Sequence, residues 1–401
     1  MSDLKPGWTR VKFGDVARQV KERVDPETSG LERFVAGEHM DTDDLRIRSW
    51  GEIGAGYLGP AFHARFRPGH VLYGSRRTYL RKVALADFDG VCANTTFVLE
   101  SADPSVLLPA LLPFVMQTDG FHAHSKRESK GSVNPYVNFS DLAWYEFTLP
   151  SMEDQVRLTS LLTAATATVN AARAARDEAE RLRRSYLVSL FRPARGSRDV
   201  FPAHWEVLAV REAGDVQLGQ QRHPSFESGS NVRPYLRVAN VMDGWLDVSN
   251  VLSMHFPRDA MSKFQLRAGD ILLNEGQSIE LVGRSCIYRG EITGACFQKT
   301  LIRFRCGPRL LPEFVQAFFQ HMLYSGQFAK VAVQTTSIAH LTAVRFAQLL
   351  LPAPPLDEQR RILEELRRQE RARDVIDVHE REIKSLTRKA VNMLGIVRDV
   401  H

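Results

Sequence analysis

Leu149-Pro150-Ser151-Met152-Glu153-Asp154-Gln155 and Leu351-Pro352-Ala353-Pro354-Pro355-Leu356-Asp357-Glu358-Gln359 are two versions of one signal, about 202–204 residues apart. In each, a Leu-Pro step ends an apolar run, and an acidic pair followed by Gln opens a long stretch rich in Leu, Ala, Arg and Glu. Acids complement the positive end of a helix, and proline fits just before or inside its first turn. Each signal therefore predicts the head of a long helix. Along the first, Leu158, Leu162, Ala165, Val169 and Ala172 alternate steps of four and three; after one slip, Ala175, Ala179, Leu182, Tyr186 and Ser189 continue. Along the second, Ile376, His379, Ile383, Leu386, Ala390 and Met393 keep the same register. That spacing predicts a coiled-coil seam, and its alanines imply close approach of the partner helix. The two helices are expected to pack on each other rather than each lying on its own domain.

Working outward, the second half of the chain echoes the first at an offset of about 200–204. Gly14-Asp15-Val16 returns as Gly214-Asp215-Val216, and Phe66-Arg67-Pro68-Gly69-His70-Val71-Leu72 as Leu266-Arg267-Ala268-Gly269-Asp270-Ile271-Leu272. Gly90-Val91-Cys92 returns as Gly294-Ala295-Cys296, and Leu107-Leu108-Pro109 as Leu310-Leu311-Pro312. Each match is short, but all keep their order and nearly constant spacing, which reads as an internal duplication.

Within each copy, Val71-Leu72-Tyr73, Thr96–Leu99, Asp270–Leu273 and Thr300–Phe304 read as short strands between glycine-containing turns. A helix is expected over about Pro104–Thr118 and over Pro312–Tyr324, where Phe314, Val315, Phe318, Phe319 and Met322 fit a 3.6-residue period. The expected fold class is α+β: two tandem α/β globular domains separated by two long helices that pair as a coiled coil. The boundaries are a first globular domain over 1–150, a first helix over 151–192, a linker over 193–198, a second globular domain over 199–352 and a second helix over 353–401.

Composition supports a globular chain. The 401 residues are 44% hydrophobic and 25% charged, which excludes a disordered or collagen-like polymer. No apolar run is long enough for a membrane span and the N-terminus lacks the apolar core of a signal peptide, so a cytoplasmic protein is expected. Cys92, Cys286, Cys296 and Cys306 form no CxxC pair and read as reduced thiols rather than a zinc site. The net charge of +6 hints mildly at a polyanionic partner.

The motifs of catalysis are absent: no phosphate loop, no GxGxxG after a strand, no HExxH, no GxSxG. No catalytic and no metal-ligating residues are expected. Polar loops remain instead. His122–Asn138, HAHSKRESKGSVNPYVN, corresponds to Lys330–Thr342, KVAVQTTSIAHLT. Gly74–Lys82, GSRRTYLRK, corresponds to Asn274–Arg284, NEGQSIELVGR. Arginine and lysine neutralise phosphates, and Arg, Lys, Asn and Gln can hydrogen-bond base edges. The candidate DNA-binding residues are Arg76, Arg77, Arg81, Lys82, Lys126, Arg127, Lys130, Asn134 and Tyr136 in the first copy. In the second they are Asn274, Gln277, Arg284, Lys330, Gln334, Thr335 and Thr336. Ordinary solvated loops are the plainer alternative. Two domains presenting different side chains at equivalent positions would read two different short sequences.

The run Pro354–Ile362, Pro-Pro-Leu-Asp-Glu-Gln-Arg-Arg-Ile, at the head of a long helix resembles the specificity (S) subunits, HsdS, of type I restriction–modification systems. So do its echo at Leu149–Gln155, the duplicated plan of the whole chain, and Trp8 and Trp205 shortly before each Gly-Asp-Val. The first copy departs from the pattern in lacking the double proline and in having Asp154 where Glu358 stands in the second.

The resemblance implies that each globular domain is a target recognition domain reading one half of a gapped DNA sequence. It implies that the two tandem α/β target recognition domains are separated by two long helices that pair as an antiparallel coiled coil, holding the domains apart in inverted orientation and setting the gap. About 40 helical residues span about 60 Å, against about 34 Å for one duplex turn. It also implies a non-catalytic subunit with no cofactor of its own. Two methyltransferase subunits would bring S-adenosylmethionine, and two motor–nuclease subunits would use ATP and magnesium. It implies double-stranded DNA as the ligand and no membrane partner. Arg173, Arg176, Arg181 and Arg184 on the first helix are candidates for docking those partners, with ordinary solvated helix charges as the alternative. The alternative function is a duplicated DNA-binding regulator or chromosome-organising scaffold unrelated to methylation.

Overall fold

A computed structural model describes residues 5–191, 201–223, 229–334 and 338–393. The chain divides into two units, Met1–Ala174 with Asp377–His401, and Ala175–Ile376. The expected linker at 193–198 lies outside the described residues.

In the first unit, the strands Ala17–Gln19, Thr96–Ser101, Val71–Gly74 and Val83–Leu85 form a four-stranded antiparallel sheet in that spatial order. A second sheet orders Gly51–Glu52, Arg33–Val35, Gly90–Ala93 and Phe62–Phe66, with Arg33–Val35 parallel to Gly90–Ala93. Thr9–Lys12 pairs with Glu146–Leu149 just before the long helix. Alternation makes this plan: inward residues such as Val71, Tyr73 and Leu99 join Phe13, Phe121 and Phe147 in one core, while Leu72 and Val98 on the other face pack with Val35 and Phe66.

The second unit repeats the plan. Gly214–Leu218, Leu301–Cys306, Ile271–Asn274 and Ser285–Ile287 form the four-stranded sheet, and Leu252–His255, Val232–Leu236 and Cys296–Phe297 the second. Glu206–Ala209 pairs with Leu350–Ala353. The helix Pro312–Tyr324 buries Phe314, Val315, Phe318, Phe319 and Met322, the face its periodicity predicts. The counterpart in the first unit is broken instead. A 3-10 turn at Pro109–Leu111 precedes the helix Leu112–Gln117, and a further helix, Asp119–Arg127, starts where Thr118 accepts the Phe121 amide at 3.1 Å. His122 and His124 therefore sit on a helix and not in a loop. Buried His124 meets the Asp141 carbonyl at 2.8 Å.

The repeated acid-Gln signal has a structural meaning in both units. Gln155 donates to the carbonyls of Val106 (2.8 Å) and Pro150 (3.0 Å) and accepts the Leu108 amide at 2.8 Å. Gln359 donates to Arg309 (2.9 Å) and Pro354 (2.8 Å) and accepts the Leu311 amide at 2.9 Å. Both side chains are fully buried. Each glutamine thus latches the helix head to the segment before the Leu-Leu-Pro turn. The preceding acid is used differently: Asp154 accepts the Trp8 indole N–H at 2.8 Å, whereas Glu358 meets His204 at 3.0 Å.

The long helices are Met152–Leu190 and Leu356–Asn392. In the first unit Leu162 and Val391 enter one core and Arg173 bonds Glu380 at 2.9 Å. In the second, Leu187 packs in the core with Leu363 and Leu366, while Arg183 meets Glu370 at 3.5 Å and Glu180 meets Arg373 at 3.5 Å. In each unit, rising numbers on one helix meet falling numbers on the other, so the pairing is antiparallel.

The expected seam needs correction in detail. Leu158, Leu162, Ala165, Val169, Ala172, Arg176, Ala179, Arg183, Tyr186 and Leu190 are all buried or half-buried, and they step by four and three without a slip. Ala175, Leu182 and Ser189 are exposed. On the second helix Glu380 and Thr387 take the places expected for His379 and Leu386, both exposed. Long arginines fill seam positions because their methylene stems bury while the guanidinium finds a carboxylate. No described helix is long and apolar enough to cross a membrane.

Candidate nucleic-acid interface

Strand pairing joins the two singled-out loops of each unit. In the first, Arg76 bridges to Tyr136 and Tyr136 to Lys130, the Lys130–Tyr136 amides and carbonyls exchanging bonds of 2.8 and 2.9 Å. In the second, Gly276–Gln277 pairs with Ala339–His340, which pairs with Val333–Gln334. The anchoring bond is also repeated: the Val137 amide donates to Ser75 at 3.0 Å, and the Leu341 amide to Glu275 at 2.8 Å. One backbone frame therefore carries two sets of side chains.

The first frame is basic. Arg76, Arg77, Lys126, Arg127, Lys130, Asn134 and Tyr136 are exposed on it or beside it. Arg76 lies over the Tyr136 ring, 5.7 Å from its centre. Arg77 donates its side chain to Asn134 at 2.8 Å and its amide to the Pro135 carbonyl at 2.6 Å. Lys130 meets Asp141 at 3.0 Å, and Arg127 meets Glu128 at 3.0 Å. Arg77 (φ 52°) and Arg81 (φ 50°) are both left-handed, flanking the 3-10 turn Thr78–Leu80. Such a conformation costs a non-glycine residue about 1–2 kcal/mol and is held only where the surroundings determine it.

Arg81 supplies part of that hold. Its guanidinium bonds Asp43 (2.6 Å), Asp119 (2.8 Å) and the Gln117 carbonyl (2.8 Å), so it builds the loop from behind. Lys82 is likewise turned to the Gly37 carbonyl.

The second frame is nearly neutral. Lys330 and Gln334 are exposed and Gln277 is half-buried. Glu275 and His340 meet at 3.2 Å within it. Asn274 is fully buried, with neither side-chain polar atom bonded among the described residues, so it is no part of the exposed surface. Arg284 is half-buried. Thr335 and Thr336 lie outside the described residues.

Of the helix arginines, Arg173 is committed inside the first unit. It bridges Asp44 and Glu380, whose side chains are 7% and 5% exposed. Burial pushes both carboxyls up, but bonds from Arg48, the Arg46 amide and Arg173 on Asp44, and from Lys384 and Arg173 on Glu380, outweigh it and hold both below their ordinary values. Arg176 lies beside Asp177 at 3.3 Å. Arg181 is exposed and pairs with Glu178 at 2.6 Å; Arg184 pairs with Glu180 at 2.9 Å and lies over the Tyr324 ring.

No protein-family model matches the chain. A curated relative, a putative type I restriction enzyme MjaX specificity subunit of Methanocaldococcus jannaschii, is 23% identical over 163 residues. That match spans 40% of this chain and 38% of the relative, well under half the length of each. Among solved structures, a chain from work on complex assembly and conformational transition of the type I R-M system superposes over 98% of this chain and 99% of its own, with TM-score 0.65 and 22% identity. The fold is that of type I restriction–modification specificity subunits. The S subunit of M. genitalium also matches, over 100% of this chain and 99% of its own, at TM-score 0.52 and 13% identity. At these identities the likeness is one of fold: two tandem α/β domains and two long coiled-coil helices.

Proposed function

We propose that this chain is the sequence-specificity subunit of a type I restriction–modification complex, each globular domain reading one half of a gapped DNA target. The observation that carries this is the duplicated frame: the same three-segment pairing presents Arg76, Arg77, Lys130 and Tyr136 in one unit and Gln277, Gln334 and His340 in the other. Equal frames with unequal side chains suit two different half-sites. Exposed lysines and arginines bind phosphates, and loop side chains that reach base edges supply specificity.

In this reading the recognition domains are 1–150 and 199–352, and the helices at 151–192 and 353–401 set the gap. Arg181 and Arg184, exposed on the first helix, dock methyltransferase subunits, while Arg176 belongs to the seam. The chain itself is non-catalytic. Methyl transfer to adenine uses S-adenosylmethionine on the partner, which must flip its target base out of the duplex. ATP and magnesium serve the motor–nuclease subunits. The test is domain exchange: replacing 1–150 with another recognition domain changes one half of the methylated motif and leaves the other half as it was. A change in both halves overturns the assignment.

A further inference from the structure

Residues 43–52 read DDLRIRSWGE, and their alternation splits them between two faces. Leu45 and Ile47 are buried at 7% and 3% exposure, while Arg46, Arg48 and Trp50 are exposed. Arg33 completes the outer face: its guanidinium carbon lies 4.5 Å from the Trp50 ring centre and 5.2 Å from that of Phe88. Arg48 is committed to Asp44 (2.8 Å) and Asn170 (2.6 Å). Arg33 and Arg46 have no ion-pair partner among the described residues, and they line an open cavity of about 390 Å³ with Arg48, Trp50, Phe88 and one carboxylate, Asp87, so cations outnumber the acid three to one.

The second unit serves as an internal control. The flanking strand pairing is the same, Val35 opposite Cys92 in one and Tyr235 opposite Cys296 in the other. Yet residues 243–252, DGWLDVSNVL, contain no lysine or arginine. Arg46 therefore has no cationic counterpart there, whereas Arg33 has one in Arg233, two residues before Tyr235, which donates its Nε to Asn231 at 3.0 Å. The added cation at Arg46 is what sets the first unit apart and calls for a ligand.

We propose that Arg33 and Arg46 form a phosphate-binding patch that grips duplex DNA outside the bases read by the loops. It rests on the DNA reading above. A guanidinium stacked on an aromatic face keeps its N–H edge for a bidentate oxyanion. The patch also lies within reach of the same duplex. Thr42 bridges to Lys82, at the end of the candidate loop, and Arg46 bridges to Leu85 three residues further on, about 10 Å along the strand. A phosphate chain leaving the loops passes this distance within two or three nucleotides.

The experiment measures the salt dependence of binding by the full chain, co-purified with its methyltransferase, to a duplex extending one turn beyond the motif on each side. The Arg33→Gln/Arg46→Gln pair flattens the slope of log affinity against log salt by about 2, near 0.9 per lost phosphate contact. Its preference among base-substituted motifs stays that of the wild type. Arg46→Gln alone, at an exposed position, flattens the slope by about 1 and guards against a folding defect in the double variant. An unchanged slope in both variants overturns the patch, as does an altered base preference. So does weakened methyltransferase association with DNA binding intact, which makes the patch a seat for an acidic protein surface. Absence of sequence-specific binding by the wild type overturns the DNA reading itself, and the patch with it.

Discussion

Replacing Gln359 tests whether the acid-Gln signal is a latch. Its side chain makes three hydrogen bonds to backbone groups, two donated and one accepted, and is 0% exposed. At about 1 kcal/mol net for each, Gln359→Ala destabilises the second unit by about 3 kcal/mol. For a unit of about 200 residues that lowers the melting temperature by about 6–12 °C. Gln359→Glu is the sharper variant. It keeps the shape and one acceptor, but turns a carboxyl oxygen toward the Arg309 and Pro354 carbonyls where an NH₂ group donated. The loss is at least as large as for alanine, although less volume is removed. Gln155→Ala and Gln155→Glu repeat the pattern in the first unit. The assay is differential scanning calorimetry of the full chain with each variant. A Gln359→Glu protein within about 1 kcal/mol of wild type refutes the latch and leaves the glutamine a packing residue.

Arg173→Met removes the cation shared by Asp44 and Glu380 and destabilises the first unit by about 3 kcal/mol, the low end for a broken buried pair because Arg48 and Lys384 remain, as calorimetry measures. Acid titration followed by circular dichroism finds a first-unit contribution from Asp119. Burial pushes this carboxyl up, but bonds from Arg388, Arg81 and Asn392 hold it at about 2 against an ordinary 3.8. Its stabilisation is therefore full above about pH 4 and lost as pH falls from there toward 2. Arg77→Ala relaxes one position of one half-site by about 1–3 kcal/mol, and Gln334→Ala acts on the other half, as competition binding with base-substituted duplexes reads out. Four residues inserted near Ala172 add about 6 Å of helix, and the methylated motif shows an altered gap or is lost; an unaltered gap with full methylation contradicts the ruler.

The architecture was legible because duplication supplies each signal twice. Weak echoes such as Gly90-Val91-Cys92 and Gly294-Ala295-Cys296 bring Cys92 and Cys296 into strands that occupy equivalent places in their sheets. The loop pairs were legible as polar segments. Their joining was not, because Gly276–Gln277 and Ala339–His340 are two-residue strands too short for an alternation pattern. The seam misled at Arg176, Arg183 and Glu380: an apolar rule steps over charged residues, although Arg183 and Glu380 find partners on the other helix. Arg81 and Asn274 show the opposite limit. Their residue types suit DNA, but acceptors behind the loop take the one and burial takes the other. The Arg46-Ile47-Arg48-Ser49-Trp50 alternation was the signal that could have found the outer arginine face.

Mapping methylated adenines across the source genome, with and without this gene, decides whether the chain is a specificity subunit. Deletion is expected to erase methylation at one gapped, asymmetric motif, and restoring the gene to restore it. A methylation map unchanged by deletion, from cells shown to express the protein with its methyltransferase, contradicts that role.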